Sequence, residues 1–357
     1  MLKPEEPTRP RPLSIGIVYE THETYARGPG DPVDYAAEYE PLETIEALES
    51  AIAWLGHRSV RIGSPYALLA QVGKGELAPI DAAFSIAEGH GSRNREAWAP
   101  AVLEMAGVPL LGSDALTLST SLDKSWTLDR VAAAGVPVLP HAVYASAEEA
   151  EGAALPSEFP LFVKPRSEGT AKGITRASRV EDRTSLVAAV RHVVKTYAQP
   201  ALVEAFAPGA EYTATVVGTA PNSARALPVL QRAIEAESGI GLHALERDGA
   251  PAPPEGGYEH ATPGALDAAL ETELQEFALR AYQVMECRDF ARIDFKLDAK
   301  GEPAFLEINT LPTFAPDGTF GILAELAGVS FAAYVGEVLG GGLERLGLPA
   351  RGTETPR

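Results

Sequence analysis

Four polar residues alternate along two otherwise apolar segments in the last quarter of the chain. Arg292 and Asp294 lie within residues 291–295, and Glu307 and Asn309 within residues 305–310. Strand periodicity puts the members of each couple on one face. Between them, Asp298-Ala299-Lys300-Gly301 is a hairpin turn signal, and pairing through that turn lets the four groups converge. Two carboxylates and an amide oxygen are hard ligands that suit Mg²⁺ and leave room for phosphate oxygens, while Arg292 adds a planar positive fork. A hairpin with one ordinary polar face gives the same alternation, but charges among apolar strand residues are costly unless partnered.

Three weaker signals accompany the hairpin. The segment Val163-Lys164-Pro165 runs into Glu168-Gly169-Thr170-Ala171-Lys172-Gly173. A strand-end lysine before a glycine-bearing loop can present a point charge and backbone N–H groups to phosphates, although a surface loop with a solvated lysine reads the same way. Residues 201–211 form a strand with an acid at each end, Glu204 and Glu211, around Ala205, Phe206 and Ala207. Such a strand end can hydrogen-bond adenine and hold a ribose diol, or be plain strand with solvated acids. Asp123 can cap the helix that begins at Lys124, and that lysine is either a ligand group or an ordinary helix-face residue.

The elements that must position these groups follow from periodicity. Strands are expected at residues 13–19, 57–62, 81–87 and 108–111, with helices at 41–56, 65–72 and 94–107 between them, which implies a parallel sheet covered on both faces. Helices at 115–122 and 124–134 lead to strands at 138–144, 160–164 and 201–206, with a helix at 180–198. Strands at 211–218 and 225–231, a glycine- and proline-rich loop at 238–264, a helix at 265–286, the hairpin strands at 289–297 and 303–308, and helices at 320–327 and 330–346 complete the pattern. Three domains are expected, at 1–115, 116–206 and 207–357.

The chain has 357 residues, 45% hydrophobic and 22% charged, so sizeable cores are affordable and disorder is disfavoured. With 30 Lys+Arg against 49 Asp+Glu, the formal charge is −19, which argues against nucleic acid or an anionic membrane as partner. One cysteine, Cys287, excludes an intramolecular disulfide or a cysteine-pair zinc site. Residues 1–19 lack a signal-peptide core and no apolar run reaches membrane-spanning length, so a cytoplasmic protein is expected.

Taken together, these motifs resemble the ATP-grasp carboxylate–amine ligases, most closely the D-alanine–D-alanine ligase branch. Leu122-Asp123-Lys124, Val163-Lys164-Pro165 with residues 168–173, and Arg-x-Asp with Glu-x-Asn-Thr at 292–294 and 307–310 carry the resemblance, as does Gly107-Val108-Pro109 followed by Gly112-Ser113. The resemblance implies a three-domain α/β fold, an N-terminal parallel sheet plus a two-domain ATP-grasp clamp. It implies ATP held by Lys124, Lys164, Glu204, Ala205, Phe206, Ala207, Glu211 and Leu306, and two Mg²⁺ ions, replaceable by Mn²⁺, held by Asp294, Glu307 and Asn309. Lys164, Thr170 and Arg292 would be catalytic, with an acyl phosphate as intermediate.

The amino-acid half departs from the family. The first-strand Gly-Gly-x-Ser-x-Glu motif becomes Tyr19-Glu20-Thr21-His22-Glu23, His-Gly-x-x-Gly-Glu-Asp-Gly becomes residues 90–97, and Gly318 stands where the family has a serine. A tyrosine-rich loop is replaced by residues 239–243, which contain no tyrosine. Glu20, Arg93, Arg95, Glu96, Thr310 and Thr319 are therefore the substrate candidates, with the two arginines suiting an extra carboxylate or phosphate. His90 and Cys287 read as packing residues. The expected partners are small-molecule amino acids or amines, with a homodimer left open. The expected function is ATP-dependent ligation with altered amino-acid specificity. The alternatives are a true D-alanine–D-alanine ligase and a non-catalytic ATP-binding regulatory module.

Overall fold

The computed structural model describes residues 11–235, 238–241, 245 and 266–352; the rest of the expected 238–264 loop lies outside them. Its first sheet is parallel, in the order β2-β1-β3-β4, formed by β1 (Ser14–Val18), β2 (Arg58–Gly63), β3 (Ala82–Ser85) and β4 (Leu110–Leu111). Helix α1 (Leu42–Trp54) covers one face, and α2 (Pro65–Lys74) with α3 (Trp98–Met105) covers the other. Each helix carries its apolar stripe inward: Ile45, Leu48 and Ile52 are buried on α1, and Leu68 on α2.

Helices α4 (Ala115–Leu122) and α5 (Lys124–Ala133) lead into an antiparallel sheet of order β5-β8-β6-β7. Its strands are β5 (His141–Tyr144), β6 (Leu161–Pro165), β7 (Arg179–Val180) and β8 (Ala201–Ala205), with α6 (Ala147–Gly152) and α7 (Arg183–Tyr197) packed beside them. The third sheet joins β9 (Glu211–Val217), β10 (Arg225–Ala226), β11 (Leu230–Arg232), β12 (Phe290–Leu297) and β13 (Pro303–Asn309), with α8 (Ala268–Val284) against it. Helices α9 (Thr319–Leu326) and α10 (Phe331–Arg345) return to the first sheet, where α10 packs on α1. No single helix among the described residues is long and apolar enough to cross a membrane.

Several expected elements differ, each for a local reason. The strand expected at 225–231 is two short strands, because Pro228 has no N–H to extend the ladder. The strand expected from 138 begins at His141, after Pro137 and Pro140. The helix expected from 94 opens with a 3₁₀ turn, Arg95–Ala97. Helix α6 and strand β7 are too short for their periodicity to register.

Aromatic packing ties the first sheet to the hairpin. Phe84 on β3, Phe290 on β12 and Phe314 beyond β13 are all buried, with ring centroids 5.1–5.7 Å apart in edge-to-face contacts. Asp289 adds a polar tie. It accepts from the Gly112 amide at 2.8 Å and from Arg345 Nε and Nη2, both at 2.6 Å. Removing a buried carboxylate strands its cationic partner. Asp289→Ala should therefore lower unfolding free energy by about 3 kcal/mol, the low end for a buried pair, because the Arg345 side chain is 21% exposed. Urea denaturation checks this; a loss below about 1 kcal/mol contradicts it.

Candidate active site

The hairpin register brings the expected metal residues together. On β12 and β13, Arg292 lies opposite Asn309 and Asp294 opposite Glu307. Asp294 accepts from Thr213 Oγ1 at 2.7 Å, from Arg292 Nη2 at 2.9 Å and from Asn309 Nδ2 at 3.2 Å. Glu307 lies 3.1 Å from Lys124 Nζ, and Asn309 Nδ2 also donates to it at 3.4 Å. Burial alone would raise the Glu307 carboxyl, but the charges of Lys124, Lys164 and Arg292 outweigh it and hold it at about 2. The donor set of two carboxylates and an amide oxygen on one face fits Mg²⁺.

Beside the hairpin, a cleft is lined by Lys124, Lys164, Glu204, Ala205, Phe206, Ala207, Glu211 and Leu306. The structure thus gathers every residue that the resemblance assigns to ATP. Lys164 Nζ lies 2.6 Å from Glu204 Oε2. Burial lowers the lysine, but Glu204 and Glu307 raise it further, so it stays charged. The second oxygen of Glu204 is buried without a hydrogen-bond partner among the described residues. Apolar walls come from Phe162, Ile174, Leu306 and Ile240, and Arg179 stacks on Phe206 at 4.6 Å. Glu211 pairs with Lys296 at 3.4 Å.

The loop after β6 closes one side. Thr170 and Ala171 both have left-handed backbone, with φ of 50° and 56°. For a β-branched residue such as Thr170 that conformation is strained, a feature that collects at functional sites. The loop after β1 holds this one in place. Glu38 accepts from Arg95 Nη2 at 2.6 Å, from Lys172 Nζ at 3.0 Å and from the Gly169 amide at 2.7 Å. A Cβ at 169 would lie 2.8 Å from Glu38 Oε1, so a side chain there would push the carboxylate out of this contact. Arg95 also reaches Glu168 at 3.5 Å and Ser167 O at 2.8 Å. Asp34 receives the Gly173 amide and the Tyr197 hydroxyl, each at 2.9 Å. Burial pushes the Glu38 carboxyl up, yet Arg95 and Lys172 bring it down to about 2.

A larger cleft continues past the hairpin, lined by Glu38, Glu88, Glu96, Thr170, Arg232, Arg292, Thr310 and Thr319 among others. Of the expected substrate residues, Glu96, Thr310 and Thr319 reach it. The other three do not, which corrects those expectations. Arg93 pairs with Asp123 at 2.9 Å and stacks on Trp126. Arg95 is consumed by Glu38 and Glu168, so neither arginine offers charge to a further carboxylate. Glu20 is 2% exposed and receives the Tyr25 hydroxyl and the Gly89 amide, which ties a turn together. His90 stacks on Tyr25 and meets Tyr39 at 3.2 Å, a packing role. Cys287 is buried, and burial raises its thiol, so it stays unreactive.

Glu38, Glu88 and Arg232 had no sequence signal. The first sits in the aperiodic 20–40 stretch, the second follows an apolar strand, and the third ends a three-residue strand. Arg232 donates to Thr213 Oγ1 at 3.1 Å and Thr319 Oγ1 at 2.8 Å, without an acidic partner among the described residues. Burial and its neighbour Arg292 lower its pKa.

A family model described as D-ala D-ala ligase C-terminus matches residues 131–340. The D-alanine–D-alanine ligase of Alcanivorax borkumensis is 33% identical over 270 residues, 75% of this chain and 80% of that protein. Among solved structures, the VanG D-Ala:D-Ser ligase of Enterococcus faecalis superposes with a TM-score of 0.69 at 19% identity, covering 93% of this chain and all of that one. The D-alanine–D-alanine ligase of Bacillus anthracis complexed with ATP gives 0.66 at 18%, covering 93% and 98%. Both likenesses show the ATP-grasp fold.

Within the larger cleft, Glu96 carries an unusual proton affinity. Burial raises its carboxyl from an ordinary 4.5 to about 7, partly offset by Arg95. A raised carboxyl means that the folded state binds the proton more tightly than the unfolded one, so stability is full below 4.5 and falls as pH rises to about 7. Glu96→Gln removes that penalty. Its melting temperature should exceed the wild type's at pH 8, and the gap should shrink toward pH 5. A variant less stable than wild type at pH 8 contradicts the assignment.

Proposed function

The chain belongs to the D-alanine–D-alanine ligase family of ATP-grasp proteins, and from that premise we propose that it joins the carboxylate of an amino acid to an amine at the expense of ATP. The observation that carries this reading is the convergence of Lys124, Lys164, Arg292, Asp294, Glu307 and Asn309 on two adjoining clefts. A module that only binds nucleotide does not need a three-oxygen donor set facing a second cleft. The three-domain division at 115/116 and 206/207 belongs to the same proposal, with the clefts between the three sheets.

In this reading adenine lies between the apolar walls, and the unpartnered oxygen of Glu204 accepts its amino group. Glu211 holds the ribose. Lys124 and Lys164 face the α and β phosphates, exchanging part of their contact with Glu307 and Glu204. Asp294, Glu307 and Asn309 would hold Mg²⁺, which when bound neutralises charge on the phosphate oxygens. A substrate carboxylate oxygen attacks the γ-phosphorus, the bond to the bridging oxygen breaks, and ADP leaves. The amine then attacks the acyl carbon, loses a proton, and expels phosphate. Arg292 faces the charge that develops on both steps. The 167–173 loop, held down by Glu38, keeps water from the acyl phosphate.

Altered specificity is supported by three features. Glu20 is committed to Tyr25 and Gly89, Gly318 has no side chain, and the Thr319 hydroxyl is committed to Arg232. Each charge-assisted hydrogen bond missing from a closed site is worth about 1.5–3 kcal/mol, so D-alanine paired with D-alanine should be a poor substrate.

Phosphate release with product masses, across a panel of amino acids and amines, tests the reading. Substrate-dependent ADP formation is expected, with kcat/KM on D-alanine alone about a thousandfold below the best pair, and Glu307→Gln should abolish turnover while remaining folded. Near-normal turnover by that variant overturns the ligase assignment, and efficient D-alanyl-D-alanine formation overturns the altered specificity.

A further inference from the structure

The alternation that places Arg292 and Asp294 on one face of β12 continues to Lys296, yet the reaction steps leave this lysine without a role. Lys296 lines the nucleotide cleft together with Glu211, Gly239 and Ile240. The strand register puts it opposite Glu211 on β9. Its Nζ lies 3.4 Å from Glu211 Oε2 and donates to the Gly239 carbonyl at 2.7 Å. On the other side of Glu211 the register places Arg232 of β11, but that guanidinium donates to the Thr213 and Thr319 hydroxyls.

A lysine is a costly way to build this wall. It is 7% exposed, and burial lowers its pKa, with Glu211 offsetting only part of the shift. An apolar side chain of similar length would complete the sheet without desolvating a charge. An ammonium carries three N–H donors, and among the described residues Lys296 has two acceptors, Glu211 and Gly239. The third donor is left for the cleft. Gly239 is also well placed as a partner. Its amide donates to the Glu235 carbonyl at 2.8 Å, and the next residue, Ile240, is buried among Phe162, Ala171 and Ile174. Lys296 thus ties the acid assigned to ribose and the apolar wall assigned to adenine to one strand.

Side by side, the carboxylate and the ammonium present an acceptor and a donor to the same part of the cleft. A sugar hydroxyl both donates and accepts, phosphate oxygens only accept, and a deoxy carbon does neither. We propose that Lys296 is a specificity-determining residue for the nucleotide: its Nζ donates to a ribose hydroxyl oxygen while Glu211 accepts from the diol, so the pair selects a ribonucleotide over a deoxyribonucleotide. This rests on the placing of ribose at Glu211 in the ligase reading and deepens it. A nucleotide without that hydroxyl leaves a buried ammonium donor unanswered. A site built to bond a hydroxyl rejects the analogue lacking it more strongly than an apolar pocket does.

Calorimetric titration of the full chain in Mg²⁺ with ADP, 2′-deoxy-ADP and 3′-deoxy-ADP tests the proposal. The wild type should bind ADP about tenfold or more tightly than at least one deoxy analogue, and that analogue identifies the hydroxyl. Lys296→Met should weaken ADP about tenfold while changing the same analogue by less than about threefold, so that the preference collapses. Lys296→Arg, which keeps a charged donor, should restore part of it. A merely structural lysine would weaken ADP and the analogue alike, and an unchanged ratio in Lys296→Met overturns the proposal. A wild type without preference also overturns it. Lys296→Gln is measured beside Lys296→Met, and failure of both to fold makes the lysine a structural group and overturns the proposal too. Glu211→Gln separates this inference from the reading beneath it. Preference lost in Glu211→Gln but kept in Lys296→Met removes the role of Lys296 alone. Preference kept in both removes the ribose assignment of Glu211, and with it this proposal.

Discussion

Two carboxylates and two cations, Glu38 and Glu168 against Arg95 and Lys172, join the loop after β1 and the 3₁₀ turn before α3 to the loop after β6, and the rest of the site depends on that buried quartet. It forms between distant parts of the chain, and it places a first-domain carboxylate against the backbone of Gly169. Breaking one member of such a set costs far more than the set contributes net, because it leaves buried charge unmatched. The quartet therefore acts chiefly as a specification of geometry. With it in place, the loop that carries Thr170 is held beside both clefts, which share Lys124, Glu211, Asp294 and Glu307 in their walls.

The same charge logic divides the two clefts. At the nucleotide end every lysine has a carboxylate, so the cationic groups are already oriented, and a phosphate chain can replace acid contacts with its own. At the other end the matching is incomplete: among the described residues Arg232, beside Arg292, makes no ion pair, and Glu88 and Glu96 feel the charge of Arg95 without an ion pair of their own. Burial makes these leftovers count, since an unmatched charge in a partly desolvated cleft is worth several times what it is worth on the surface.

How much of this was legible in the sequence follows from what each feature leaves in it. Alternation of Arg292 with Asp294 and Glu307 with Asn309 is a local property of two strands, and the turn between them fixes the register, so the convergence of these four groups was readable directly. Lys164 and the 168–173 loop are likewise contiguous. Arg95 and Glu20 were readable as charged residues near strand ends, but not their use, because Glu38 and Tyr25 arrive from an aperiodic loop that no pattern constrains. Arg232 was hidden for another reason. Pro228 splits the expected strand in two, and the face on which Arg232 emerges is set by pairing with Glu211 on β9 rather than by its own neighbours.

In the proposed reaction the acyl phosphate survives only while the quartet keeps water from it. The direct measurement is the number of phosphates released per molecule of ligated product, with Glu38→Ala compared against the wild type on the best substrate pair. Loosening the 167–173 loop admits water, so the wild type should give a ratio near one and the variant a ratio several times higher, at unchanged ADP affinity. A variant that stays coupled one to one, whatever its rate, would contradict the account.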